Sequence, residues 1–191
     1  MQAAEVQEKI EEKFQERVLE KKEFRGERTI VVKRESLKEI LQYCRDALKF
    51  DMLLDVSSVD HFGDEPRFEM VYELYSLETK THLRVKCTVS EDDCKVDSVV
   101  ELWPTADWHE REVYDMMGIR FEGHPDLRRI LMWEGYPYYP LRKDFPLEGK
   151  SSDAGLTAFT KPAPLEGGPF VTVPSSEERH KREPRAHPPE I

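Results

Sequence analysis

Cysteine is scarce in this 191-residue chain, present only as Cys44, Cys87 and Cys94. Three thiols with no CxxC spacing cannot alone ligate a four-cysteine zinc or iron–sulfur site. Nor do they make the framework of a small disulfide-stapled domain. No run approaches the roughly 20 apolar residues that a membrane span requires. Positive charge is also in deficit: 29 Lys and Arg stand against 39 Asp and Glu, a formal net charge of −10. That balance argues against a nucleic-acid-binding surface. No GxGxxG follows a strand pattern and no P-loop occurs, so no nucleotide site is signalled. Residues 1–28 alternate acids and bases. They lack the apolar centre of a signal peptide and the acid-poor, Arg-rich character of a transit peptide, which points to a cytosol-side, reduced protein.

What is present begins with periodicity. The length suffices for one domain with a real core and an added tail. Over residues 1–22, Val6, Ile10, Phe14 and Val18 recur every four positions, with Glu5/Lys9, Lys13/Glu16 and Arg17/Glu20 at helical spacing. This predicts a surface helix with a narrow apolar stripe. Residues 29–32 form a β-branched run, a short strand. Ser36-Leu37-Lys38-Glu39 reads as a capping box, and Leu37, Ile40, Leu41, Cys44 and Leu48 follow on one helical face. Three strands come next. Residues 52–60 are largely apolar. Phe68, Met70, Tyr72 and Leu74, then Leu83, Val85, Cys87 and Val89, alternate with polar or exposed positions. Period two implies one buried and one exposed face, and the short polar linkers predict an antiparallel meander. His61 and His82 read as exposed or locally bonded side chains.

The order of elements predicts an α+β fold, an antiparallel sheet with helices on one face, followed by a loop-rich extension. Three segments are expected: a surface helix over 1–27, the α+β domain over 28–149, and an extended tail over 150–191. Seven of the 13 prolines lie between Pro162 and Pro189, beside Gly167-Gly168, and such a stretch builds no periodic buried face. Its basic cluster, Arg179, His180, Lys181, Arg182 and Arg185, reads as solvated or as a contact for an acidic partner or lipid headgroups.

Residues 101–147 carry most of the information. Asp107 and Glu110 read as a capping box, and Gly118 as a C-terminal stop. Between them Trp108, Glu112 and Asp115 share a face, and Arg111 and Asp115 are i, i+4 partners. Apolar Val113, Met116 and Met117 intervene, so an acid–base–acid triplet sits in a helix that looks enclosed. Buried charge must be paired, and His124, Arg128, Arg129, Arg142 and Lys143 are the nearby partners. Removing Arg111 is then expected to cost roughly 3–5 kcal/mol by leaving Glu112 or Asp115 alone. Three readings compete. Glu110 and Glu112 as a glycosidase-type carboxylate pair suffers because i and i+2 diverge on a helix. A metal site from His109, Glu110, Glu112, Asp115 and His124 lacks HExxH-like spacing and has arginines beside it. A structural ion-pair network that fixes a surface for another protein fits the residue types better. Trp103, Trp108 and Trp133 fit core or interface anchors more readily than cofactor-stacking platforms.

The stretch Glu110-Arg111-Glu112-Val113-Tyr114-Asp115-Met116-Met117, then His124 and Arg128-Arg129-Ile130-Leu131, resembles the signature of the 30 kDa subunit family of respiratory complex I. In bacteria this family supplies the C-type subunit of NADH–quinone oxidoreductase. Ala106-Asp107-Trp108, Phe121-Glu122-Gly123-His124-Pro125-Asp126-Leu127 and Pro140-Leu141-Arg142-Lys143-Asp144-Phe145-Pro146-Leu147 match as well. The resemblance covers roughly residues 28–149, including the strand Phe68-Glu69-Met70-Val71-Tyr72-Glu73-Leu74. Tyr138-Tyr139 departs from it, standing where the family more often has Gly-His.

The resemblance implies a peripheral-arm subunit with no catalytic residue, flavin, iron–sulfur cluster or quinone site of its own. The complex's FMN and clusters would reside in other subunits, and the whole would pass electrons from NADH to quinone while translocating protons or sodium. The 49 kDa-type (D-type) subunit and neighbouring hydrophilic subunits are the implied partners. The place is peripheral, on the cytoplasmic side of the inner (plasma) membrane, reached through the complex. Expected structural and interface residues are Trp108, Glu110, Arg111, Glu112, Asp115, His124, Arg128, Arg129, Leu141, Arg142, Lys143 and Asp144. The alternatives are the equivalent component of a membrane-bound hydrogenase or of a complex I relative with another electron donor, and, more remotely, a stand-alone carboxylate or metal hydrolase.

Overall fold

Apolar period decides the element type along most of the chain. A computed structural model describes residues 3–147; the tail and its basic cluster lie outside the described residues. Helix α1 (Ala3–Phe14) buries Val6, Ile10 and Phe14, and helix α2 (Leu37–Asp46) buries Leu37, Ile40, Leu41 and Cys44. Five strands form one sheet: β1 (Val18–Phe24), β2 (Glu27–Val32), β3 (Met52–Asp60), β4 (Phe68–Ser76) and β5 (Thr81–Val89). The spatial order is β1-β2-β5-β4-β3. Downstream come β6 (Lys95–Asp97), α3 (Ala106–Met117) and β7 (Arg120–Glu122), with β6 and β7 paired in parallel as a small separate sheet. Everything described below belongs to one compact unit, Met1–Glu134 with Tyr138–Leu147.

Three expectations need correction. The first helix stops at Phe14, and residues 18–24 are a strand instead. Gln15 turns the backbone to a φ of 43° and ends the helix, so Val18 begins a strand rather than extending the apolar stripe. Arg25 and Gly26, with φ of 52° and 85°, then form the two-residue tip of a hairpin in which Phe24 faces Glu27. Positive φ at both tip residues matches the twist of a tight hairpin.

The sheet is also mixed rather than wholly antiparallel, because β2 runs parallel to β5. After β2 the chain crosses through α2 to the far edge. The meander β3-β4-β5 then reverses twice and returns to β2 in the same direction. A crossover of that kind needs an intervening helix, and α2 supplies it. Finally, Ser36 makes no side-chain cap. A 3-10 turn over Arg34–Ser36 feeds straight into α2.

The meander follows the alternation closely. Phe68, Met70, Tyr72 and Leu74 on β4, and Leu83, Val85, Cys87 and Val89 on β5, are almost fully buried. With α1 and α2 they make one hydrophobic cluster that continues into Trp103, Val113, Met116 and Phe121. Each large apolar side chain so enclosed contributes about 1.5–3 kcal/mol. The opposite face of the sheet carries charge: Arg84 pairs with Glu73 and Glu27, and Lys86 with Glu69 at 2.8 Å.

Candidate interface site around helix α3

The start of α3 is set by packing rather than by capping. Trp103 is buried and donates its indole N–H to the Phe50 carbonyl at 3.2 Å, which fixes the approach to the helix. Thr105 stands at the N-cap with no side-chain capping bond, and the expected Asp107/Glu110 capping box does not form. Glu110 turns inward instead, and one carboxylate oxygen accepts the Val99 N–H at 2.7 Å. Gly118 ends the helix with a φ of 80°, its N–H donating to the Tyr114 carbonyl at 2.9 Å.

Two carboxylates on α3, Glu110 and Asp115, are wholly buried, and their surroundings push them in opposite directions. Burial raises Glu110 to about 7 against the opposing bonds from Val99 and Ser98, with Asp107 adding like charge. Its second oxygen lies 4.0 Å from His124 Nε2 and has no hydrogen-bond partner among the described residues. His124 accepts the Asp126 N–H at Nδ1, which leaves Nε2 facing the Asp107 carbonyl and carboxylate, each at 3.3 Å. Asp115 is also opposed by burial, yet it is held below the usual carboxylate range. The N–H of Met132, the guanidinium of Arg129 and the N–H groups of Leu131 and Ile130 overcome that burial. The amides of Met132, Leu131 and Ile130 lie at 2.7, 2.7 and 3.0 Å from Asp115 Oδ2, and Arg129 lies at 2.5 Å from Oδ1. One aspartate thereby folds the 129–132 loop onto the helix.

Arg111 is therefore not the partner of Asp115, whose oxygens the loop already occupies. It donates to the Arg128 and Arg129 carbonyls at 3.2 and 3.4 Å and straps the same loop from outside. Nor does the helix enclose the whole triplet. Trp108 is 66% exposed and Glu112 faces solvent, while Asp115 is sealed. The Arg128 side chain makes a surface pair with Asp126 at 2.9 Å. Glu110 and Glu112 do not flank a common cleft, so their placement offers no carboxylate pair for hydrolysis.

A second network is centred on Arg67 and Asp60, which the sequence reading does not single out, and it draws in Arg142, Lys143 and Asp144, which that reading does. Arg67 is only 4% exposed and makes a bidentate pair with buried Asp60 at 2.8 and 2.9 Å. It also reaches Glu91 at 2.8 Å and Asp144 at 2.6 Å. Its hydrogen bonds to Asp60 hold that carboxylate below the ordinary range despite burial, with help from the Lys143 N–H at 2.7 Å. Asp144 is lowered by Arg67 as well. Arg142 donates to the Met117 carbonyl at 2.7 Å, pairs with Glu91 at 3.3 Å, and lies over the rings of Phe68 and Tyr139. The Leu141 N–H donates to the Met116 carbonyl at 3.2 Å. Residues 141–144 are thus tied to both β3 and the end of α3. For Asp60 and Arg67 the signal in the sequence is charge beside core positions: Asp60 ends the apolar run of residues 52–60 and Arg67 directly precedes Phe68.

Among the described residues no group of three or more His, Cys, Asp and Glu is arranged to hold a metal ion. All three thiols are free. Burial raises Cys87 to about 12 and moves Cys44 and Cys94 upward too, so none favours the thiolate. No helix among the described residues is long and apolar enough to cross a membrane.

The family model described as respiratory-chain NADH dehydrogenase, 30 Kd subunit, matches residues 30–151. The C-type subunit of the NADH-quinone oxidoreductase of Geobacter metallireducens is 51% identical over 142 residues, covering 74% of this chain and 88% of its own. A solved structure of the trypsin-resistant fragment (1–134) of Nqo5 is 34% identical with a TM-score of 0.60, covering 66% of this chain and all of that fragment. A chain of the membrane-bound sulfane sulfur reductase, an archaeal respiratory membrane complex, is 27% identical with a TM-score of 0.68, over 77% of this chain and 87% of that one. Sequence match and fold agree, and the chain belongs to the 30 kDa subunit family of respiratory-chain NADH dehydrogenase.

Proposed function

We propose that this chain is a non-redox scaffold of the peripheral arm of NADH:quinone oxidoreductase, seated beside the 49 kDa-type subunit. The observation that carries the reading is the pinned surface downstream of α3. Asp115, Arg129, Arg67 and Arg142 fix irregular backbone that would otherwise be free to move. On or beside that framework stand exposed Trp108, Leu131 and Leu141. Rigid apolar and aromatic anchors rimmed by charge are what a protein–protein contact uses. In this reading the chain holds no flavin, cluster, metal or quinone and has no active site. It meets the cytoplasmic side of the inner membrane only through its partners, and FMN and iron–sulfur clusters belong to other subunits.

Likeness to a chain of the sulfane sulfur reductase supports a second reading, in which the same module serves a relative of complex I with another electron partner. Affinity purification of the tagged full chain from native membranes separates the two. An NADH-binding flavoprotein and the 49 kDa-type subunit among the co-purifying proteins, with no iron or flavin in the chain once isolated, is the expected result. Retrieval of a hydrogenase-type catalytic component would select the second reading. Stoichiometric metal or flavin in the isolated chain would overturn the scaffold.

A further inference from the structure

The two edges of the five-stranded sheet are guarded unequally. Edge β1 also exposes Leu19 and Phe24, but between them it presents Glu20, Lys21, Lys22 and Glu23 to solvent, the charged character that resists pairing with another strand. Edge β3 carries no Lys or Arg. Its charges are Asp60, which is buried, and Asp55, which meets His109 at 3.2 Å. Met52, Leu54 and Val59 are each about 40% exposed along it. An unguarded apolar edge in a soluble chain invites an added strand and is normally covered.

Beside that edge runs a groove of about 220 Å³. Val56, Ser57 and Ser58 of β3 form one wall, and Val113, Met116 and Leu141 the other. At its rim Glu112 is exposed and makes no ion pair among the described residues. One helical turn earlier Trp108 presents its ring to solvent, at the i, i+4 spacing that places two side chains together. An aromatic face next to a free carboxylate suits a guanidinium, which gains from both.

We infer that the groove between β3 and α3 seats an extended segment of a neighbouring protein of the complex, in which apolar side chains are flanked by arginine or lysine. Apolar side chains pack on the wall formed by Val113, Met116 and Leu141, the backbone runs along β3, and the basic group lies between Trp108 and Glu112. The net charge of −10 favours a basic partner in the same sense. The inference rests on the scaffold reading above and adds the surface and the chemistry of its occupant.

The test places the photo-crosslinker p-benzoylphenylalanine at position 112, at position 141, and at position 22 on β1 as a control, in the full chain within cells that assemble the complex. Crosslinked peptides are then sequenced by mass spectrometry. Positions 112 and 141 are expected to capture one stretch of the same neighbouring protein, containing Arg or Lys next to apolar residues, while position 22 does not capture it. Glu112→Arg should reduce the recovered neighbour about tenfold while the melting temperature of the isolated variant stays that of the wild type. Capture of a peptide with no basic residue, capture of residues 148–191 of the chain itself, or no capture from a chain that still co-purifies with the complex would overturn the groove and leave the scaffold reading standing. Failure to co-purify with any component of the oxidoreductase would overturn both.

Discussion

Glu110 and Asp115 lie five residues apart on one helix, are equally sealed, and titrate in opposite directions because their partners differ. For Glu110 the folded value of about 7 lies above the ordinary 4.5, so the folded chain holds the proton more tightly than the unfolded one. Its contribution is complete below about pH 4.5 and is lost as pH rises through 7, on the order of 3 kcal/mol in all. Glu110→Gln keeps an oxygen for the Val99 N–H and removes the titration. Its stability relative to wild type should therefore grow by that amount between pH 4 and pH 8 in urea denaturation; parallel curves would contradict the assignment. Asp115 works in reverse: its contribution is present above 3.8 and is lost as pH falls through its lowered value. Arg129→Ala should cost about 3 kcal/mol at pH 7 by breaking a buried pair, whereas Arg111→Ala, which loses only bonds to carbonyls, should stay within about 1 kcal/mol. The opposite ranking in urea denaturation would restore Arg111 as the partner of Asp115.

Among the elements, the junction between α3 and residues 139–144 holds the site in shape. Gly118 takes a φ of 80°, and a Cβ there would sit 2.6 Å from the Tyr139 ring and 2.9 Å from Arg142 Nη2. Gly123 has the same φ with nothing within 4 Å. Backbone strain of about 1–3 kcal/mol is common to both alanine substitutions. Gly118→Ala should exceed Gly123→Ala in thermal unfolding, because only the former also displaces Tyr139 and Arg142; equal costs would show that the junction yields freely. Legibility in the sequence divides along the same line between local pattern and distant contact. Helix α2 and strands β3 to β5 are legible because one element's own period reveals its buried face. Strand β1 is not, since Val18 happens to continue the stripe of Phe14; the Arg25-Gly26 hairpin tip is the signal that marks it. Glu110 and Asp115 are legible as acids among apolar neighbours. Their surroundings are not, and neither is the Arg67–Asp60 pair, because loops and a strand crossing bring these groups together from positions distant in sequence.

At the scale of the whole molecule, buried charge holds irregular backbone in place. Arg67 joins β3, the segment after β5 and residues 141–144; Asp115 and Arg111 fasten the 128–132 loop. Outward among the described residues stand the charged run of β1, the partly exposed apolar positions of β3, and Trp108 and Leu141 near the latter. Such a body presents surfaces to neighbours, in keeping with the 30 kDa subunit family of a multi-subunit respiratory enzyme. The most direct measurement is native electrophoresis of membranes from cells lacking this chain, stained for NADH oxidation. The account predicts that the full-size NADH-oxidising band is lost and returns when the full chain is supplied. A full-size, active band in the absence of the chain would contradict it.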